Sequence, residues 1–268
     1  MTTLDEIRKK ATAEATAKTI IPHRGTPLPE SWKPTGIPTR RAGFYLVDGI
    51  DYPSVTTILG VINKPALMRW AAKMGAKAVL MDPTKYDTPE AAAAAIYEIN
   101  EQGGQTATER GTEAHAVAEA YAKAVVKGTA ENFSSNNPYF KAIRSFFETM
   151  KPEVFFIEAV LVNTKEIYAG TTDLIAKIGS RVFIIDWKTS KYVYDEMPLQ
   201  VEAYRRADML IDGMTGERLV DQPQMAEAGG IVLLRDNGTF QWTETAGDFE
   251  AFLAAKVLYH WKQSLNGD

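Results

Sequence analysis

The sequence predicts an α/β (α+β) domain in which a central mixed sheet is flanked by helices, and three observations carry that expectation. Three β-branched and aromatic runs, Val154 to Val162, Tyr168 to Ile178 and Arg181 to Lys188, follow one another across short turns. Segments with helical starts and stops precede them, so the amino-terminal half reads as mostly helical. A helical stretch and a strand pair follow, which gives a core order of α-β-β-β-α-β.

The elements follow from local chemistry. Residues 3 to 18 suit a short helix, and Pro22, Pro27, Pro29, Pro34 and Pro38 then keep the chain extended or turning up to Arg41. Phe44 to Val47 and Ile50 to Pro53 flank Asp48-Gly49 as a hairpin. Pro65 opens a helix to about Leu80, and Thr88-Pro89 opens another to about Glu101, proline being harmless in a first turn. Separate helices are expected over Thr106 to Lys127, stopped by Gly128, and over Pro138 to Met150. Asn163-Thr164-Lys165-Glu166 and Gly179-Ser180 turn the three strands into an antiparallel meander. Helical periodicity returns over Pro198 to Ile211. Gly230 to Arg235 and Thr239 to Thr243 surround Asn237-Gly238 as a hairpin, and Asp248 to Leu265 forms a terminal amphipathic helix.

These elements divide into an arm over residues 1–43 and a single domain over 44–268. Within the domain lie a helical region (44–105), a core (about 106–245) and a carboxy-terminal helix (248–265). The formal charge of −4 is unevenly spread: residues 1–41 hold eight basic side chains against four acidic ones, so the arm is basic and the body acidic. An acidic body is compatible with a nucleic-acid substrate when carboxylates are committed to divalent cations, which reverse the local field. Cysteine is absent, which excludes disulfides, thiolate metal sites, cysteine nucleophiles and iron-sulfur clusters. No signal-peptide pattern and no apolar run of about 18 residues is present. A cytoplasmic protein without membrane contact is the expectation.

The chemistry concentrates on the meander. Asp186 and Lys188, two apart on a strand, project from one face while Trp187 takes the other. With Gly179-Ser180 as the turn, Asp173 falls opposite Asp186 across the ladder. Two carboxylates so placed repel unless a cation lies between them, and magnesium or manganese with its oxygen preference suits the role. A bound ion lowers the pKa of its water and makes a nucleophile for phosphodiester hydrolysis, while Lys188 would orient that water or neutralise the phosphate. Gly170 gives room for a nucleic-acid backbone or a neighbouring strand. Glu158, an isolated acid among apolar residues, either joins this site or faces outward.

At these residues the sequence resembles the PD-(D/E)XK nuclease superfamily, the signature being Asp173 followed by Asp186-Trp187-Lys188. Arg110-Gly-Thr-Glu-Ala-His115-Ala-Val-Ala-Glu119 is similar to the first motif of its RecB-like branch, and Gln200-Val-Glu-Ala-Tyr204 to the motif that follows the lysine. Tyr52-Pro-Ser-Val-Thr-Thr-Ile-Leu59, with Pro65 and Trp70, resembles the amino-terminal region of stand-alone phage and mobile-element nucleases of that branch. The lack of cysteine directs the resemblance to members without an iron-sulfur cluster.

The resemblance implies a restriction-endonuclease-like core and a deoxyribonuclease using one or two Mg2+ or Mn2+ ions. It implies an ion held by His115, Asp173, Asp186 and the Trp187 main-chain carbonyl, with Glu119 auxiliary. Catalytic roles then fall to Asp173, Asp186 and Lys188, supported by Gln200 and Tyr204. Arg110, Lys191, Arg205 and Arg206 are candidates for phosphate contacts with DNA, and Trp70, Tyr97 and Tyr121 are either stacking surfaces or core residues. An exonuclease acting from DNA ends leads, with a recombination or single-strand-binding protein as the candidate partner. A structure- or site-specific endonuclease and a non-catalytic DNA-binding protein on the same fold are the alternatives.

Overall fold

The computed structural model describes residues 37–38, 40–63, 65–86, 88–220 and 226–265, so the expected helix over residues 3 to 18 and most of the basic arm lie outside the described residues. The fold is mixed α+β, with a large mixed sheet between helical layers. A small sheet comes first: β1 (Arg40–Arg41), β2 (Phe44–Val47) and β3 (Ile50–Pro53) are antiparallel neighbours. It draws the last residues of the expected arm into folded structure. Asp48 and Gly49, both at positive φ, make the two-residue turn between β2 and β3. Ser54 then caps the short helix α1 (Val55–Ile58), its hydroxyl accepting from the Thr57 amide.

Helix α2 (Pro65–Met81) precedes α3 (Pro89–Val126), which Thr88 caps and Pro89 opens as expected. One expectation is corrected here. The helices placed over Pro89 to Glu101 and over Thr106 to Lys127 are a single 38-residue helix that runs through Gly103-Gly104. Each glycine costs about 1 kcal/mol relative to alanine, too little to break a helix whose flanks are alanine-rich and which packs against α2. Gly128, at φ +70°, follows the helix end, and α4 (Phe140–Met150) completes the layer.

The meander forms as expected from β4 (Glu153–Asn163), β5 (Tyr168–Ile178) and β6 (Arg181–Lys188). The next helix, α5 (Glu196–Arg205), ends earlier than the periodicity to Ile211 suggests. Met209 to Ile211 instead forms β7 (Met209–Ile211), which pairs with Val160–Val162 at the free edge of β4. Strand β8 (Arg218–Val220) follows it. An unpaired edge of the sheet thus captured a segment whose sequence alone also suits a helix. Strands β9 (Ala228–Leu234) and β10 (Phe240–Thr245) form the expected hairpin, and α6 (Phe249–Leu265) closes the described chain.

The large sheet has seven strands in the order β10-β9-β6-β5-β4-β7-β8, with a parallel β6–β9 pair and antiparallel neighbours elsewhere. One face packs Ile175, Ile184, Ile231 and Leu161 against Val201 and Tyr204 of α5 and Phe252 of α6. Another core joins Leu174, Ile185 and Trp187 to Ala114 and Ala118 of α3 and to Phe146 and Phe147 of α4. Ring centroids of Phe146 and Trp187 lie 4.9 Å apart edge to face, an arrangement that favours aromatic pairs. No helix among the described residues is long and apolar enough to cross a membrane.

Candidate functional site

The strands do not stay regular where the acids sit. Pairing of β5 with β6 ends at Leu174–Ile185, one step short of Asp173 and Asp186. On the other side, Glu158 and Asp173 face each other in the β4–β5 register without forming a ladder pair, and Glu158 is left-handed at φ +53°. Ile157 and Ala159, two apart, therefore belong to opposite cores. Both irregularities converge on one place. The sheet opens there, with α3 on one side and α5 on the other.

Asp173 is buried and fully engaged. Its Oδ2 accepts from the Trp187 amide at 2.7 Å, so the carboxylate takes the main-chain donor that β5 leaves unpaired. Its Oδ1 lies 2.7 Å from Nδ1 of His115, delivered by α3. Burial works against both charges, but the mutual attraction prevails: Asp173 is held below the usual carboxylate range and His115 is raised to about 9.

Asp186 points to the α5 side. Its Oδ1 accepts from Gln200 Nε2 at 2.9 Å, and its Oδ2 is met by the Lys188 ammonium. Burial raises the Asp186 pKa, and the Asp173 charge adds to the shift. Lys188 is raised in spite of burial because both acids favour its charged form. Gln200 joins the parts: its Oε1 accepts from Lys188 Nζ at 3.2 Å, and its Nε2 also donates to Tyr204 Oη at 3.0 Å. Their i and i+4 spacing puts Gln200 and Tyr204 on one turn of α5.

Gly170 is explained by Tyr204. A Cβ at position 170 would stand 2.3 Å from Cε1 of the Tyr204 ring, so the glycine makes room for that ring rather than for a nucleic-acid backbone. Gly170→Ala is expected to push the ring off Gln200 and lower stability by about 1–3 kcal/mol. Chemical denaturation measures this; an unchanged midpoint would mean that the ring is not held there.

Glu158 belongs to the site and does not simply face outward. Burial raises its pKa to about 8, with the charges of Asp173 and Glu119 adding to the shift. Glu119 itself pairs with Lys123 one turn further along α3. The signs of the His115 and Glu158 shifts agree. Each group binds a proton more tightly when folded than at its ordinary value, 6.5 for histidine and 4.5 for glutamate. Stability of the metal-free protein is therefore expected to fall as pH rises from about 5 to about 9. Urea midpoints in EDTA at pH 6 and pH 9 test this, and a midpoint that holds or rises at pH 9 contradicts it.

The phosphate-contact candidates separate. Arg205 donates to Glu202 Oε2 at 2.6 Å and to the Glu227 carbonyl at 2.7 Å, and Arg206 donates to Glu202 Oε1 at 2.8 Å while lying over the Phe249 ring. Both tie α5 to its neighbours and are not brought to the acids. Arg110 is exposed and donates to the Thr106 carbonyl of its own helix, and Lys191 is exposed in the loop after β6. Tyr121 is a core residue, whereas Trp70 and Tyr97 are exposed. One neighbour was missed by sequence reasoning: Tyr45 Oη lies 3.0 Å from Thr171 Oγ1, 126 positions away on the strand of Asp173. No local signal announces such a contact.

No three His, Asp and Glu side chains among the described residues stand as a ready-made metal cage. Asp173 and Asp186 are nonetheless buried carboxylates, donors of the kind a hard divalent ion takes. Compared with protein-family models and with curated proteins, the chain matches none of them.

Proposed function

We propose that this chain is a metal-dependent deoxyribonuclease of the PD-(D/E)XK type, RecB-like and without a cluster, acting as an exonuclease on DNA ends. The observation that carries the reading is the convergence of Asp173, Asp186 and Lys188 at the opening of the sheet, with Gln200 bonded to both members of the Asp186–Lys188 pair. A buried ammonium beside two buried carboxylates is expensive to maintain as mere scaffolding. It suits a site in which positive charge must be both held and offered.

Asp173 and Asp186 would hold Mg2+ or Mn2+, with the Trp187 carbonyl and His115 as further donors and Glu119 and Glu158 close by. Such an ion, when bound, lowers the pKa of a coordinated water and neutralises charge on the phosphate. The protein's own residues do the rest. The Trp187 amide fixes the Asp173 carboxylate, and Gln200 fixes that of Asp186. Lys188, charged and aimed at the acids, offers its ammonium to the non-bridging phosphate oxygens as negative charge builds on them. Tyr204 keeps Gln200 in register from beneath.

The test is incubation of end-labelled linear DNA and closed circular DNA with Mg2+ or Mn2+. Mononucleotides released from linear DNA alone support the exonuclease, and nicked circles point to the endonuclease. Absence of cleavage with either ion, in a protein that binds DNA equally well with and without Lys188→Ala, would leave a DNA-binding protein.

A further inference from the structure

We propose that the loop following β6 is a stacking platform for an unpaired nucleobase, with Tyr192 as its surface and Arg235 as the residue that holds it in shape. The inference rests on the nuclease reading and adds to it the preference for single-stranded DNA at the site.

Three observations carry it. First, Tyr192 is 58% exposed, four residues after Lys188, in the loop that follows β6. Second, the loop is not free to wander. The parallel register pairs Lys188 with Leu233, which brings Arg235 alongside Ser190 just past the end of the ladder. There the guanidinium takes over from the missing strand pairing, with Nη1 donating to the Ser190 carbonyl at 2.8 Å and Nη2 to the Lys191 carbonyl at 2.9 Å. The Ser190 hydroxyl adds a bond to the Tyr192 carbonyl at 2.8 Å. Third, the Lys191 ammonium lies 5.3 Å from the Tyr192 ring centroid. An exposed ring next to a cation, on a loop fixed by bonds to its main chain, is the pairing that binds single strands: the ring stacks on a base and the ammonium meets the adjoining phosphate.

A paired base keeps its faces inside the duplex, so the ring distinguishes single from double strands, whereas Lys191 by itself would serve both. Arg235 acts through the loop and is a positioning residue.

The experiment is equilibrium binding of fluorescent oligonucleotides, single-stranded and duplex, to the full chain with Ca2+ replacing Mg2+ to hold hydrolysis back, alongside quenching of 2-aminopurine near the strand end. Tyr192→Ala is expected to weaken single-strand binding about five- to tenfold and remove the quenching, with duplex binding changed less than about twofold. Tyr192→Phe should bind and quench like the wild type. Arg235→Ala, with its fold checked by circular dichroism, should reproduce the Tyr192→Ala loss, and Arg235→Lys should recover part of it. The proposal is overturned if Tyr192→Ala binds single strands as the wild type does, or loses single-strand and duplex binding equally. Should the wild-type protein neither bind nor cleave DNA of either form, the nuclease reading falls and this proposal with it.

Discussion

Asp186→Asn is expected to reduce metal-dependent DNA hydrolysis by roughly a thousandfold or more, the scale of losing a preorganised charge at a reacting centre. The substitution keeps the shape of the side chain and a carbonyl oxygen for Gln200 Nε2, so the fold should survive. It removes the negative charge that holds the Lys188 ammonium and would hold a cation beside Asp173. Two readouts separate a lost site from a lost fold. Single-turnover cleavage should collapse in rate, while the circular dichroism spectrum stays that of the wild type and the thermal midpoint falls, because the buried Lys188 ammonium loses its partner. Stabilisation of the wild type by added Mn2+ should vanish in the variant. Cleavage within about tenfold of the wild-type rate would remove Asp186 from the mechanism.

The second large effect concerns a residue that belongs to none of the motifs. Gly213 lies between β7 and β8, and a Cβ there would stand 2.1 Å from the Glu158 carbonyl oxygen and 2.6 Å from the Ile157 carbonyl oxygen. The obstacle is main chain, and Glu158 already occupies a left-handed conformation that non-glycine residues adopt at a penalty. Gly213→Ala must therefore displace the irregular part of β4 or the β7–β8 turn. The expected loss is about 3 kcal/mol, the upper end for overpacking, or a fall of about 6–12 °C in Tm. The site should suffer with the fold, because Glu158 faces Asp173 across the β4–β5 pair. A melting temperature unchanged within about 2 °C would show that the two segments separate easily.

Much of the architecture is legible in the sequence because it depends on short-range chemistry. Proline at a first turn, a Thr88 cap, Asn237-Gly238 and period-two alternation each act over a few residues, and the elements they predict over Tyr168 to Lys188 appear within the expected bounds. Failures occur where distant packing outweighs local preference. The stretch between Glu101 and Thr106 separates two expected helices, but one helix continues through it; Met209 to Ile211 looks helical, but an open edge of β4 claims it. Arg205 and Arg206 look like free cations near the site because the sequence does not reveal that Glu202 is buried between them.

The candidate site divides in the same way. The sequence by itself determined that Asp173 and Asp186 would meet across a turn and that Lys188 would share a face with Asp186, since strand periodicity and turn position fix both. Only the tertiary structure decided that the sheet opens at that level, that His115 and Gln200 approach from opposite sides, and that Glu158 completes the acidic surroundings. The physical reason is range. Backbone geometry fixes which side chains share a strand face, but which helix arrives over them depends on burial of cores assembled from residues more than fifty positions apart.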